Sequence, residues 1–169
     1  MVQSTFSGNR REDYPLLVSQ TKALWDSTLP LGSNLANISA LLKQCLPRTN
    51  WVGFYLWDGT ASQLVLGPFQ GLPACTRIAI GKGVCGTAVS MRRTQLVPDV
   101  HELPGHIACD GASQSEIVVP VIRRGQVLGV LDVDSPEKAR FDATDQEWLE
   151  RIVDAIVLLW PPPDAPQVF

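Results

Sequence analysis

Apolar residues recur every three to four positions in several segments, and this spacing predicts amphipathic helices. Such helices are predicted over 13–28, over 34–46 and after Asp142, which is a good N-cap residue. Cys45 falls on the apolar stripe of the second helix, which favours a buried structural role for its thiol. A shorter helix is predicted over 84–91, after a glycine-containing turn.

Runs of β-branched and aromatic residues predict strands between these helices. The runs cover 51–57, 64–69, 77–80, 95–97, 117–122 and 126–134. Polar turns at 58–60 and 123–125 lie between successive strands and predict antiparallel hairpins. A turn at 30–32 ends the first predicted helix. The order of elements predicts an α+β fold, with a mostly antiparallel central sheet and helices packed on it.

The length of 169 residues suits one domain of ordinary size. We expect a flexible N-terminal segment over 1–12, a single domain over 13–160 and a proline-rich tail over 161–169. Hydrophobic residues make up 45% of the chain and charged residues 18%, so a sizeable core is available. The stretch 98–115 has no periodicity and holds both histidines, and irregular segments of this length are often functional.

Charge and composition exclude several classes of partner. Seventeen acidic and fourteen basic residues give a net charge of -3 without a basic stripe, which disfavours a nucleic-acid partner. The first 14 residues lack the apolar region of a signal peptide, and no apolar run approaches the roughly 18 residues of a membrane helix. We therefore expect a cytoplasmic protein without a membrane partner, in which a disulfide would be catalytic or regulatory.

The last predicted strand ends in acidic residues. Asp132 and Asp134 are two positions apart, so they share a face of the strand, which continues the apolar face of Leu128 and Val130. Glu116 opens the preceding strand, and the hairpin places it level with both aspartates. The acids form either a solvated strand end or a site for a metal or a substrate ammonium. Crowding should raise the pKa of at least one of them, leaving a proton donor near neutral pH.

Three of the four cysteines lie outside the helical stripes. Cys75 lies on a predicted loop, Cys109 lies in the irregular stretch beside a histidine, and Cys85 lies near a helix start, where the dipole can lower a thiol pKa. Their spacings of ten and twenty-four residues do not match a structural zinc pattern. The remaining metal hypothesis is a mixed-ligand site formed by His101, His106, Cys109 and Asp110. Because a second ligand pair is missing, we expect no metal.

Several motifs taken together resemble one known family. They are GKGVCGTA at 81–88, PGHIACD at 104–110, SEIVVP at 115–120 and GVLDVDS at 129–135, with NWVGFY at 50–55 and LGPFQG at 66–71. This combination resembles the free methionine-(R)-sulfoxide reductases, which are single-domain proteins of the GAF fold. The resemblance spans roughly 14–159 and implies a GAF-like fold for nearly the whole chain.

The resemblance implies roles for the three cysteines. Cys109 would attack the sulfoxide sulfur and become a sulfenic acid as methionine leaves. Cys75 or Cys85 would condense with it to an intramolecular disulfide, and the order of these two is left open. Thioredoxin or a similar dithiol would then restore the thiols by exchange. No cofactor is implied.

The same resemblance implies a substrate pocket. Glu116, Asp132 and Asp134 would hold free methionine-(R)-sulfoxide, and Glu116 or Asp134 would protonate its oxygen. Trp51 would face the substrate methyl group, with Tyr55 as a further pocket residue. An ammonium neutralises the carboxylates, whereas a residue inside a protein presents a neutral amide, so the free amino acid is the expected substrate.

Two other functions are compatible with the residues. GAF domains frequently bind small molecules without catalysis, so a ligand sensor is one alternative. A thiol-based redox sensor for peroxide is the other, and it would show no stereochemical preference. A homodimer is also possible, because GAF domains often pair through their long helices.

Overall fold

Residues 6–102 and 111–162, which the computed structural model describes, form an antiparallel sheet with helices on both faces. The helices are α1 (Arg10–Leu24), α2 (Leu31–Cys45), α3 (Gly83–Met91) and α4 (Ala143–Leu159). The strands are β1 (Trp51–Asp58), β2 (Gln63–Gln70), β3 (Arg77–Ala79), β4 (Gln95–Val97), β5 (Ser115–Arg123) and β6 (Gln126–Ser135). Of the described helices, none is long and apolar enough to cross a membrane.

The six strands follow the order β3-β2-β1-β6-β5-β4, and every neighbouring pair is antiparallel. The hairpins predicted at 58–60 and 123–125 join β1 to β2 and β5 to β6. The predicted α+β architecture is therefore confirmed. Strands β1 and β6 lie at the centre of the sheet, so side chains on both of their faces are covered.

Each face of the sheet has its own apolar cluster. On one face, α1, α2 and α4 pack against a core that includes Phe54, Ile117 and Leu131. On the opposite face, α3 packs against a smaller cluster that includes Trp51 and Val130. Alternate residues of the same strands thus enter different clusters, as the twofold period of a strand requires.

The first two helices begin and end earlier than the pattern predicts. Helix α1 begins at Arg10 because the Asn9 side chain accepts a hydrogen bond from the Arg11 amide at 3.1 Å. It ends at Leu24, before a turn in which the Asp26 carboxylate accepts from the Thr28 amide at 2.8 Å. Helix α2 starts at Leu31, so the predicted turn over 30–32 is wrong for its last two residues.

A β-bulge interrupts the pairing of β5 with β6. Val121 pairs with Gly129, but Ile122 pairs with Val127, so Leu128 has no partner across the hairpin. The extra residue reverses the alternation: Leu128 packs against the helix-covered cluster, and Val127 packs against the cluster beneath α3. The prediction that Leu128 shares a face with Val130 is therefore wrong.

Candidate functional site

Acidic residues from two strands meet at the end of β6. Glu116 of β5 pairs with Asp134, and Val118 pairs with Asp132, so the predicted level of Glu116 is confirmed. Asp134 also pairs with Trp51 of β1 on its other side. Glu116 and Asp132 are buried, each with 6% of its surface exposed, and Asp134 is half-buried.

Helix α3 carries Cys85 onto the same face of the sheet. Its Sγ lies 3.3 Å from Oδ2 of Asp132 and 4.0 Å from Oε1 of Glu116. The helix approaches the sheet closely at Gly86, where a Cβ would collide with the backbone oxygen of Ala79. Close packing by this glycine therefore sets the position of the neighbouring thiol.

Burial and mutual repulsion shift the titration of the acids. The pKa of Glu116 is raised well above its ordinary value by burial, and then by the charges of Asp132 and Asp134. Burial raises the pKa of Asp132 to about 7, against the opposing effect of hydrogen bonds from Cys85 and Glu116. An acid pKa is raised as predicted, but burial contributes more than crowding, and repulsion between the acids contributes at Glu116 alone of these two.

The thiol of Cys85 has a raised pKa, because it is buried and lies beside Asp132 and Glu116. The predicted lowering by the helix dipole is therefore wrong. A helix N-terminus carries roughly half a positive charge, which does not offset burial next to two carboxyl groups. Cys85 is placed as a hydrogen-bond donor to Asp132 and not as an activated thiolate.

A stack of aromatic rings forms the wall beside the acids. Trp51 stacks on Tyr55 with ring centroids 5.8 Å apart, and on Phe69 with centroids 5.2 Å apart. Its indole Nε1 donates to the backbone oxygen of Leu72 at 3.1 Å, so the ring orientation is fixed. Burial, followed by the charge of Asp132, raises the pKa of the Tyr55 hydroxyl.

The cysteines occupy different environments. Cys75 is disulfide-bonded and packs against the apolar cluster that contains Trp51 and Cys85. Cys45 and Cys85 are free thiols, and Cys109 lies outside the described residues. Cys45 packs against the helix-covered core, although it is half-buried, and burial raises its pKa to about 12.

The described residues do not test the hypothesis of a mixed-ligand metal site. His101 is exposed on a short 3-10 helix, Val100–Glu102, and the other three candidates (His106, Cys109 and Asp110) lie outside the described ranges. Within those ranges, Cys85, Glu116 and Asp132 form the group whose ligand atoms lie close enough to hold a metal ion.

A family model described as a GAF domain matches residues 40–159, more than half of the chain. The free methionine-R-sulfoxide reductase of Escherichia coli is 48% identical over 145 residues, covering 86% of this chain and 87% of that protein. The chain belongs to the free methionine-R-sulfoxide reductase family of GAF domains. The Saccharomyces cerevisiae protein of that name is 45% identical over 154 residues, covering 88% of this chain and 86% of that protein.

The fold of this GAF domain also matches solved structures. The free methionine-R-sulfoxide reductase of Neisseria meningitidis, solved in complex with its substrate, is 42% identical with a TM-score of 0.85. The match covers 94% of this chain and 95% of that one. The same family is therefore supported by sequence and by three-dimensional structure.

Two features of this family member's site were not found from the sequence. Phe69 was noted only within a strand and a motif, and its stacking on Trp51 depends on the β1–β2 pairing. Gly53 was likewise noted only within a strand and a motif, yet a Cβ there would collide with Phe69 and Trp51. A glycine opposite an aromatic residue in a predicted hairpin is the signal that would have indicated this close packing.

Proposed function

We propose that this chain reduces free L-methionine-(R)-sulfoxide to L-methionine in a reducing compartment such as the cytoplasm. The observation that carries the proposal is the buried cluster of Glu116 and Asp132 beside the ordered ring of Trp51. Relatives from Escherichia coli and Neisseria meningitidis that bear the reductase name support the same activity for this chain.

Glu116 and Asp132 recognise the ammonium group of a free amino acid. In the described part of the chain, no lysine or arginine forms an ion pair with Glu116 or Asp132, so a substrate ammonium is the complementary cation. A peptide-bound residue has no such ammonium and would leave the carboxylates uncompensated. Trp51 offers an apolar surface for the methyl end of the substrate.

The reaction begins with attack by the Cys109 thiolate on the sulfoxide sulfur. Glu116 or Asp134 donates a proton to the oxygen, the sulfur–oxygen bond of the substrate breaks, and the oxygen passes to the cysteine. Methionine leaves and Cys109 remains as a sulfenic acid. The substrate is thereby reduced by two electrons, and the cysteine is oxidised by two.

Cys75 is the resolving thiol that the described structure favours. Its condensation with the sulfenic acid forms a disulfide and releases water. Cys75 is disulfide-bonded, whereas Cys85 is a free thiol buried against Asp132. This difference supports Cys75 as the resolving cysteine. Thioredoxin or a similar dithiol then reduces the disulfide by exchange. A homodimer stays a prediction.

The test is a thioredoxin-coupled assay that compares three substrates. We expect turnover of free L-methionine-(R)-sulfoxide, and at least 100-fold lower kcat/KM for the free S epimer and for an R sulfoxide within a peptide. Cys109→Ser should abolish turnover, because the Cys109 thiolate makes the nucleophilic attack in the proposed reaction. Cys45→Ser is the matched control, since that thiol packs against the opposite face of the sheet.

The alternatives predict other results. A ligand sensor would bind the sulfoxide without forming methionine, and a peroxide sensor would oxidise without preferring one epimer. Native turnover by Cys109→Ser, or equal use of free and peptide-bound sulfoxide, would contradict the proposed function.

A further inference from the structure

Three buried side chains, one thiol and two carboxyl groups, converge on one point beneath α3. The Sγ of Cys85, a carboxylate oxygen of Glu116 and one of Asp132 all lie within 4.8 Å of one another. We propose that these three residues bind a thiophilic divalent cation, Zn²⁺, and that the bound ion blocks the substrate site. The blocking effect, but not the binding, rests on the proposed function.

The spacing of the three atoms fits a tetrahedral ion. Zinc bonds of about 2.3 Å to sulfur and about 2.1 Å to oxygen, at a tetrahedral angle, separate the two ligand atoms by about 3.6 Å. The observed distances from Cys85 Sγ are 3.3 Å to Asp132 and 4.0 Å to Glu116, on either side of that value. Both distances are within about 0.4 Å of the tetrahedral value, and the two carboxylate oxygens lie within 4.8 Å of each other, so side-chain rotations would bring the three ligands to bonding distance.

An unpartnered oxygen in the cluster is a second, independent sign of a ligand. Within the described ranges, Oδ1 of Asp132 is buried and accepts no hydrogen bond, although the residue is only 6% exposed. The other oxygen of the same carboxylate lies against the Cys85 thiol, so the group faces the cluster. A buried carboxylate oxygen without a donor is costly, and a bound cation compensates it.

The chemistry of the ligands selects zinc among common divalent ions. A thiolate disfavours Mg²⁺ and Ca²⁺, which prefer oxygen ligands only. Three protein ligands leave the fourth tetrahedral position open to water. Binding releases to solvent the Cys85 thiol proton and any proton held by Glu116 or Asp132, with no change of oxidation state. The ion then takes the place of the substrate ammonium as the cation that balances the two carboxylates.

The test is a zinc titration of the disulfide form in metal-free buffer, with a chromophoric chelator as competitor. In that form Cys45 and Cys85 are free thiols, so the two are compared directly. We expect one equivalent of Zn²⁺ to bind to wild type and to Cys45→Ala with equal affinity. Cys85→Ala should weaken binding at least 100-fold, and Asp132→Asn at least tenfold.

Cobalt substitution provides a readout on the unaltered protein. Co²⁺ should give a thiolate-to-metal charge-transfer band in wild type and Cys45→Ala that is absent in Cys85→Ala. Absence of this band in wild type, or equal zinc affinity of wild type and Cys85→Ala, would overturn the inference.

A zinc-free reductase assay separates this inference from the proposed function. Sulfoxide reduction without zinc binding would overturn the metal site alone, and zinc binding without reduction would overturn the reductase assignment alone. If both hold, Zn²⁺ should raise the apparent KM for the free sulfoxide. The reductant in this assay is thioredoxin and not a small dithiol such as dithiothreitol, because a small dithiol chelates zinc.

Discussion

The Cys85 side chain fills a confined space and also donates a hydrogen bond. It is 3% exposed, and its Sγ lies 3.3 Å from Oδ2 of Asp132. Serine preserves the donor at nearly the same volume, whereas alanine removes it and leaves the carboxylate without this partner. The pair of variants therefore distinguishes a role in positioning Asp132 from a role in disulfide exchange.

We expect Cys85→Ala to raise KM for free methionine-(R)-sulfoxide about tenfold with a smaller change in kcat. Hydrogen bonds to charged groups contribute roughly 1.5–3 kcal/mol, and a thiol is a weak donor, so its loss should lie at or just below the lower end of that range. Cys85→Ser should stay within about threefold of wild type, since it keeps the donor. Steady-state kinetics with thioredoxin measures both values, and Cys45→Ser serves as the control. Equal, complete loss in both Cys85 variants would instead indicate a resolving thiol.

For individual residues, the sequence predicted positions correctly where the alternation of side chains along a strand determines them. The twofold period placed Asp132 and Asp134 together, and the hairpin placed Glu116 beside them. It failed for the Cys85 pKa, because burial by α3 and contact with two acids arise only from the packed structure. The bulge at Leu128 was equally hidden, since a local pattern does not show that one residue has been inserted between paired positions.

Helix α4 is held at its start by a reciprocal cap. The Asp142 carboxylate accepts from the amides of Thr144 and Asp145 at 2.9 and 3.1 Å, and the Asp145 carboxylate accepts from the Asp142 amide at 2.9 Å. Arg10 of α1 lies 2.9 Å from the Asp142 carboxylate. Burial opposes ionisation, but the Asp145 amide and Arg10 outweigh it, so the pKa of Asp142 is lowered.

We expect Asp142→Ala to reduce the free energy of unfolding by about 1 kcal/mol at pH 7, the usual effect of losing an N-cap. Because the folded pKa lies below the unfolded value of about 3.9, this stabilisation is complete above that pH and disappears as the pH falls through the folded pKa. Urea denaturation of both proteins between pH 7 and pH 3 measures the difference.

Asp142→Asn is the matched variant for the cap, because it keeps an acceptor that does not titrate in this range. It should retain most of the stability at pH 7. A gap between wild type and Asp142→Ala that stays constant down to pH 3 would contradict the role assigned to the charge.

Most elements were predictable because each has a strong local pattern. The apolar stripe of α2 and the alternation in β6 identify both elements, and Asp142 was recognised as a cap. Helix boundaries were less accurate because they depend on caps that make no periodic signal. Asn9 starts α1 three residues before the predicted position, and Pro30 immediately precedes α2.

In the whole molecule, the larger apolar core and the candidate site lie on opposite faces of one sheet. The larger apolar cluster lies between the sheet and α1, α2 and α4, whereas the acids, Cys85 and Trp51 lie on the α3 side. A ligand bound on the α3 side would contact strands β1, β5 and β6 together. Its binding energy should therefore stabilise the folded domain as a unit.

We expect free L-methionine, the proposed product, at 100 times its Kd to add about 2.7 kcal/mol to folding stability. For a domain of this size that corresponds to a rise in Tm of roughly 5–10 °C. N-acetyl-L-methionine lacks the ammonium and should give no comparable rise. Differential scanning calorimetry measures both, and equal shifts from the two compounds would contradict recognition of the ammonium by the acid cluster.

The bulge at Leu128 also bears on competition between alternative folded states. Beyond it, Asp132 faces the α3 side, whereas Leu131 and Val133 face the large core. If β6 slipped by one residue against its neighbours, every side chain would change face, and carboxyl groups would enter the core beneath α4. Burial of unpaired acids there would cost several kcal/mol, so the acidic residues of the candidate site also discourage mispaired sheets during folding.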